Sequence, residues 1–310
     1  MINLSTNKQF DITVANTNKA LAEIIKSASP KELEQLSQHK DLKSLLNSLL
    51  TQSLQNPQSD KLLLELLKNN PTLKNLSNIS DSIKDLLSLI KSDKTLLALE
   101  KTLQNSLLDI GKFTKSAIKQ KLENSGVFLE SKLKDGVNMK EVISSDLKAI
   151  LLKASDEISK SARPNQTELL KQIEKLTLTI DYHQLLSHLS NSSSIYLPFS
   201  WEQLENGNIN IKKDKEDKFY CDIELKLKEY GELTLKLVLY DKNQLNIHIY
   251  SDNFKFKELI KEHVGTLRTA LIDAQITPRE IRLFDTNKNS STSPYENNFN
   301  HIEIGFEVKV

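Results

Sequence analysis

Between Cys221 and Ile249 the chain alternates apolar and polar residues with a period of two, in the runs Cys221–Leu227, Leu233–Leu239 and Leu245–Ile249. Every second side chain then falls on one face, which predicts a half-buried antiparallel sheet. Turn residues separate the runs: Glu229-Tyr230-Gly231-Glu232, then Asp241-Lys242-Asn243. Gly231 and Asn243 tolerate the left-handed backbone that such hairpin turns need. Helical spacing then predicts one amphipathic helix from about 254 to 275. Ile281-Arg282-Leu283 reads as a fourth strand, with Thr277-Pro278-Arg279-Glu280 as a turn before it. Residues 302–310 alternate once more and predict a further strand after a polar linker over 286–299.

Upstream the period changes to that of a helix. Leucine-rich helices are expected over about 18–28, 59–69, 81–110, 115–134, 140–161 and 166–190. Another starts at Ser29-Pro30-Lys31-Glu32, where Ser29 can cap the free amides and Glu32 can close a capping box. It carries Leu33, Leu36, Leu42, Leu45, Leu46, Leu49 and Leu50 on one stripe. Asn191-Ser192-Ser193-Ser194 breaks the pattern. The expected organisation is an arm over 1–16, a helical region over 17–190, a carboxy-terminal domain over 191–285, and a linker with a terminal strand over 286–310. The fold class is α+β: an all-α bundle or array, then a small α/β domain with a mainly antiparallel sheet in the order β-β-β-α-β.

Charge and composition narrow the function. The 310 residues carry 42 basic and 41 acidic side chains, a net charge of +1 that leaves no electrostatic footprint for nucleic acid. The 7 glycines are scattered, so neither a phosphate-binding loop nor a dinucleotide fingerprint can be drawn. Cys221 is the only cysteine; its inward register predicts a buried, inert thiol. None of His39, His183, His188, His248, His263 and His301 pairs with another at the spacing of a helical zinc site, and surface or rim positions are expected for them. Asp181 lies near His183 but has no serine or cysteine partner for nucleophilic catalysis. No catalytic, cofactor or metal site is expected. No apolar run reaches the length of a membrane span and no basic-then-apolar leader opens the chain, so a cytoplasmic protein is expected. Val238 and Tyr240 place an apolar patch on the nominally wet face of the sheet, to be covered by another element or by a partner.

The run Tyr230-Gly231-Glu232-Leu233-Thr234-Leu235-Lys236-Leu237, the alternating strand after it and Leu267-Arg268-Thr269-Ala270-Leu271 resemble the C-terminal domain of flagellar hook-length control proteins (FliK). Upstream, Ser125-Gly126-Val127-Phe128-Leu129-Glu130-Ser131-Lys132-Leu133 resembles a Ser-Gly-x-Phe-x-Glu-x-x-Leu segment that precedes this domain in relatives, and Tyr196-Leu197-Pro198-Phe199 suits its entry. The resemblance implies a non-enzymatic, soluble protein that is exported through the flagellar type III apparatus. It implies a domain that binds the cytoplasmic part of the export-gate protein FlhB and switches substrate specificity from hook to filament subunits. Hook or hook-cap subunits are further implied partners; nucleic acid and membrane insertion are not. The residues placed in this partner-binding and switching core are Gly231, Leu233, Leu235, Val238, Tyr240, Leu267, Arg268 and Leu271, with Leu233, Leu235, Leu267 and Leu271 expected inside it to hold its shape. A helical amino-terminal half reaches about 1.5 Å per residue against about 3.3 Å for extended chain, which favours the switch or a paralogous accessory role over length measurement. The competing reading is a non-enzymatic helical adaptor of the flagellar system.

Overall fold

The computed structural model describes residues 18–32, 57–74, 76, 79–91, 93–109, 115–134, 138–190, 192–196, 199–214, 217–286 and 306–307. The chain divides into two units, one of residues 1–191 and 195–201, the other of 192–194 and 202–310. Among the described residues the first is helical and the second is a mixed sheet with one helix, so the α+β class holds.

The helical unit contains α1 (Lys19–Ser27), α2 (Pro57–Asn69), α3 (Pro71–Lys74), α4 (Ile79–Ile90), α5 (Leu97–Ser106), α6 (Lys115–Glu123), α7 (Leu129–Lys134), α8 (Met139–Ser145), α9 (Leu147–Ser159) and α10 (Gln166–Leu189). Its organising element is α10, whose 24 residues give a rod about 36 Å long. Leu169, Ile173, Leu176 and Ile180 pack into a core with α4, α5 and α9. Leu185, Leu186 and Leu189, near the other end, pack into a second core with α1 and α2. A helix that serves two cores is apolar on more than one side, and its sequence accordingly lacks a single clean stripe.

Three of the expected helices are in fact pairs. The 81–110 helix stops at Ile90, and Asp93 caps a short 3-10 turn, Lys94–Leu96, by accepting from the Thr95 N–H. The 140–161 helix breaks at Asp146, whose side chain accepts from Lys148 N–H at 3.0 Å and Ala149 N–H at 3.4 Å and so starts α9. The 115–134 helix breaks at Gly126, where φ is +91° and a Cβ would lie 2.8 Å from Lys148 Cβ. In each case a capping acid or an obligatory glycine overrode a leucine periodicity that runs straight through. The capping box at Ser29 forms as expected: Ser29 N–H and Oγ–H donate to Glu32 Oε2 at 2.7 and 2.6 Å. The arm over 1–16 and the leucine stripe from Leu33 to Leu50 lie outside the described residues.

The most deeply buried charges described in this unit are paired. Lys148, only 2% exposed, extends its ammonium to Asp181 Oδ1 at 2.8 Å, Glu130 Oε1 at 2.6 Å and Gln184 Oε1 at 2.5 Å. Asp181 Oδ2 also accepts the Lys19 N–H at 2.8 Å, and its carbonyl accepts from Asn18 Nδ2 at 3.0 Å, which ties the start of α1 to α10. Thus Asp181 is a structural ion-pair residue. His183 corrects the expectation of a surface histidine: it is buried edge-on between the rings of Tyr182 and Tyr196, and burial pushes its pKa down to about 4. His39 and His301 lie outside the described residues.

The described strands of the second unit belong to a seven-stranded sheet in simple sequential order, of whose first strand only Ser193 and Ser194 fall in this unit: β1 (Ser193–Tyr196), β2 (Leu204–Lys213), β3 (Phe219–Leu227), β4 (Gly231–Tyr240), β5 (Gln244–Ser251), β6 (Thr277–Phe284) and β7 (Phe306–Glu307). Neighbours from β2 to β5 are antiparallel; β5 and β6 are parallel, joined by the crossover helix α11 (Phe254–Asp273). Asn253 caps α11 through its side chain, accepting from Phe256 N–H at 3.0 Å. The stretch Thr277-Pro278-Arg279-Glu280, expected as a turn, is the first half of β6. Pro278 is accommodated because a strand tolerates its fixed φ where the missing N–H is not needed by a neighbour.

Candidate functional site

Strand register decides which side chains share a face. Leu235 on β4 stands opposite Ile223 on β3 and Ile249 on β5, and Leu237 stands opposite Cys221 and Ile247. Ile223 faces Ile209 on β2, and Ile249 faces Leu283 on β6. One face of the sheet is therefore apolar across five strands, from Ile209 and Ile211 to Ile281 and Leu283. The opposite face carries Asp222, Lys236, His248 and Arg282 in matching register.

A single helix cannot cover such a face. The five strands span about 20 Å at ~4.8 Å each, whereas a helix with its side chains is about 10–12 Å across. Accordingly α11 lies along β5 and β6, where Leu245, Ile247, Ile249, Ile281 and Leu283 are buried. Over β2, β3 and β4 the apolar side chains Ile209, Ile211, Ile223, Leu225, Leu235 and Leu237 are only half-buried, and Phe219 is 41% exposed. The helix itself buries only Val264 and exposes Phe254 (71%) and Ile272 (58%). The half-covered sheet face is the candidate interaction surface.

The expected site residues distribute unevenly around it. Leu233 is buried. Leu235, Leu267 and Leu271 are half-buried, because a lone helix leaves its flanks and the neighbouring strand partly open. Arg268 donates from Nη1 to the Pro278 carbonyl at 3.3 Å and staples α11 to β6. Gly231 begins β4 at φ +78°; a Cβ there would meet nothing, so its requirement is conformational. Val238 and Tyr240 lie on the other face, where Val238 stands opposite Tyr220 and Asn246, and Tyr240 Oη reaches Asn246 Oδ1 at 3.4 Å. The eight residues thus do not form one patch. Ile209, Ile211, Ile223 and Leu225 were missed as surface residues, although the alternation placed them; what would have found them is the width comparison between one helix and five strands.

The polar face is a network of charge over aromatic rings. His248 Nε2 lies 3.6 Å from Glu280 Oε1, which Arg282 Nε also contacts. The Lys236 ammonium sits 5.4 Å from the Tyr250 ring centre, and Tyr250 stacks on Phe284 at 5.1 Å. Burial lowers the His248 pKa, with Glu280 opposing. Asp222 is raised to about 6 by burial, against the pull of Lys236 directly across from it. Cys221 is half-buried, and its thiol is pushed up to about 11 by burial and by Asp222, so it is unreactive near neutrality.

Asp222 gives a pH prediction. Its carboxyl binds a proton more tightly in the folded chain than in the unfolded one, so its stability contribution is most favourable below about pH 4 and declines as pH rises to about 6. Asp222→Asn is expected to raise the stability of this unit by about 1–2 kcal/mol at pH 7.5 and to change it little at pH 4. Urea titrations at the two pH values measure this; an equal shift at both would show that Asp222 is not held protonation-prone by burial.

No helix among the described residues is long and apolar enough to cross a membrane. Neither the curated proteins nor the solved structures gave a match to this chain. One family model does match, over residues 207–292, and its description is flagellar hook-length control protein FliK. The matched span opens inside β2 and takes in β3, β4, β5, α11 and β6, the whole of the sheet face described above. The upstream Ser125-Gly126 segment lies outside it. Over residues 207–292 the chain is therefore similar to the flagellar hook-length control protein FliK family.

Proposed function

We propose that this protein is a non-catalytic substrate-specificity switch of flagellar type III export, acting through contact between its sheet unit and the cytoplasmic domain of FlhB. The observation that carries the reading is the family match over residues 207–292, which coincides with a sheet whose apolar face is only half covered. Contact through β2, β3 and β4 would bury Ile209, Ile223 and Leu235 against the partner. Such a module shifts a two-state gate by binding one state better than the other, and needs no reacting group. The protein itself would be an export substrate, with its signal in the amino-terminal residues ahead of α1. Binding of the full chain to the purified FlhB cytoplasmic domain tests the contact: a dissociation constant of about 10 μM or tighter, roughly −7 kcal/mol, is expected. In a deletion strain, electron microscopy is expected to show overlong hooks without filaments. Absence of binding at 100 μM together with normal flagella would overturn the proposal.

A further inference from the structure

The helix α1 has only 9 residues, and a helix of that length does not persist alone in water, so its docking is its folding. Its Ala20, Leu21 and Ile24 are fully buried, in one core with Leu63 and Leu67 of α2, Leu73 of α3, and Leu185, Leu186 and Leu189 of α10. That core shares no residue with the one α10 forms with α4, α5 and α9, so α1 can leave without opening the latter. The groove also supplies partners for both polar ends of α1, from side chains only 1% and 4% exposed. At the start, Asp181 accepts the Lys19 N–H through Oδ2 at 2.8 Å and Asn18 Nδ2 through its carbonyl at 3.0 Å. At the end, Asn70 donates from Nδ2 to Ser27 Oγ at 2.8 Å and to the Glu23 carbonyl at 3.4 Å. Its Oδ1 accepts the Leu73 N–H at 3.0 Å and so fixes the groove wall. The charges match as well. Acidic residues favour the positive end of a helix, yet α1 has none in its first turn and begins with Lys19, whose ammonium lies 3.5 Å from Glu174 Oε1. The acceptor provides the negative charge instead, through Asp181 and Glu174.

We propose that this groove is a helix-acceptor site and that α1 is its resident plug. The site takes one short amphipathic helix with a basic first turn and apolar residues spaced as Ala20, Leu21 and Ile24 are, and α1 holds it closed to a partner helix of that kind. Tethering gives α1 an effective concentration of about a millimolar, which a partner helix must overcome. The site belongs to the helical unit and stands independently of the contact proposed for the sheet unit.

Two measurements on the full chain test this. The double variant Leu21→Asp with Ile24→Asp unseats α1, and by fluorescence anisotropy it is expected to bind a labelled peptide of residues 18–28 at least about tenfold more tightly than the native chain does. Lys19→Glu in the peptide is expected to weaken that binding about threefold, since a further acid then meets Asp181 and Glu174. Equal binding by the two chains, binding by neither, or indifference to the charge reversal would overturn the proposal. So would loss of the cooperative urea transition of the helical unit in the double variant, which would make α1 an integral part of that unit. Separately, in the native chain the amides of Ile24 and Ala28 are expected to exchange hydrogen about 100-fold faster than those of Thr177 and Ile180 in α10. Equal protection would show that α1 opens only with the whole unit, and would refute the plug.

Discussion

Replacing Lys148 by methionine is expected to destabilise the helical unit by about 3–5 kcal/mol, the cost of leaving a buried charge without its partner. Lys148 and Asp181 are both essentially buried, with side chains 3% and 2% exposed and their charged atoms 2.8 Å apart. Burial alone would push the ammonium down, but Asp181 and Glu130 outweigh it and hold Lys148 above its usual value. Burial pushes the Asp181 carboxyl up, and Lys148 is what opposes that. With the lysine gone, Asp181 must either stay charged in an apolar setting or take up a proton at neutral pH. Glu130 differs: its side chain is 35% exposed and can turn to water. The double change Lys148→Met with Asp181→Asn is therefore expected to recover more than half of the loss, since asparagine keeps an acceptor for the Lys19 N–H and removes the stranded charge. Urea titration of the full chain, followed by helical circular dichroism, measures all three variants. If the single lysine substitution cost under 1 kcal/mol, the pair would be structurally idle.

The same lysine explains a motif. Gly126 has a positive φ, and a Cβ there would lie 2.8 Å from Lys148 Cβ and 2.9 Å from its backbone N. Glu130, four residues on, reaches the Lys148 ammonium, and Gln184 bonds the Gly126 and Val127 carbonyls. Tyr196 donates its hydroxyl to the Ser125 carbonyl. The Ser125-Gly126 segment is thus a tight turn wrapped over a buried ion pair. Its glycine and glutamate are fixed by that packing.

How far a sequence pattern carries depends on whether its cause is local. The strands β3, β4 and β5 were legible because period two reports directly on two faces, and the crossover helix because its amphipathic spacing is local. The break at Asp146 was present as a capping residue but was drowned by leucines continuing in phase on both sides. The burial of Lys148 and His183 was not legible, since a lysine or histidine on a helix is usually solvated and only contacts far along the chain, such as Lys148 with Asp181 and Gln184, reveal otherwise. The parallel pairing of β5 with β6 likewise depends on a crossover, and a proline in the first half of β6 masked the strand. For the interaction surface, the residues were legible and the cover was not. Val238 and Tyr240 drew attention as apolar residues on a polar face, yet the larger open area was the apolar face itself.

That difference sets up the most discriminating functional experiment. Ile223 and Val238 occupy adjacent strands, are both half-buried, and point to opposite faces of the same sheet. An aspartate at either position should cost the fold a comparable amount, so a difference between them reports on the partner. Ile223→Asp is expected to weaken binding to the FlhB cytoplasmic domain about 100-fold, roughly 3 kcal/mol, because an anchor in the middle of an apolar contact is replaced by a charge that must be desolvated. Val238→Asp is expected to change it less than about threefold, equivalent to under ~0.7 kcal/mol. In cells the first variant is expected to give overlong, filament-free hooks and the second normal flagella. Equal losses at both positions would point to damage of the domain rather than of a surface. The reverse order would move the contact to the charged face of Lys236, His248 and Arg282, where a partner would have to bring acidic groups in place of apolar ones.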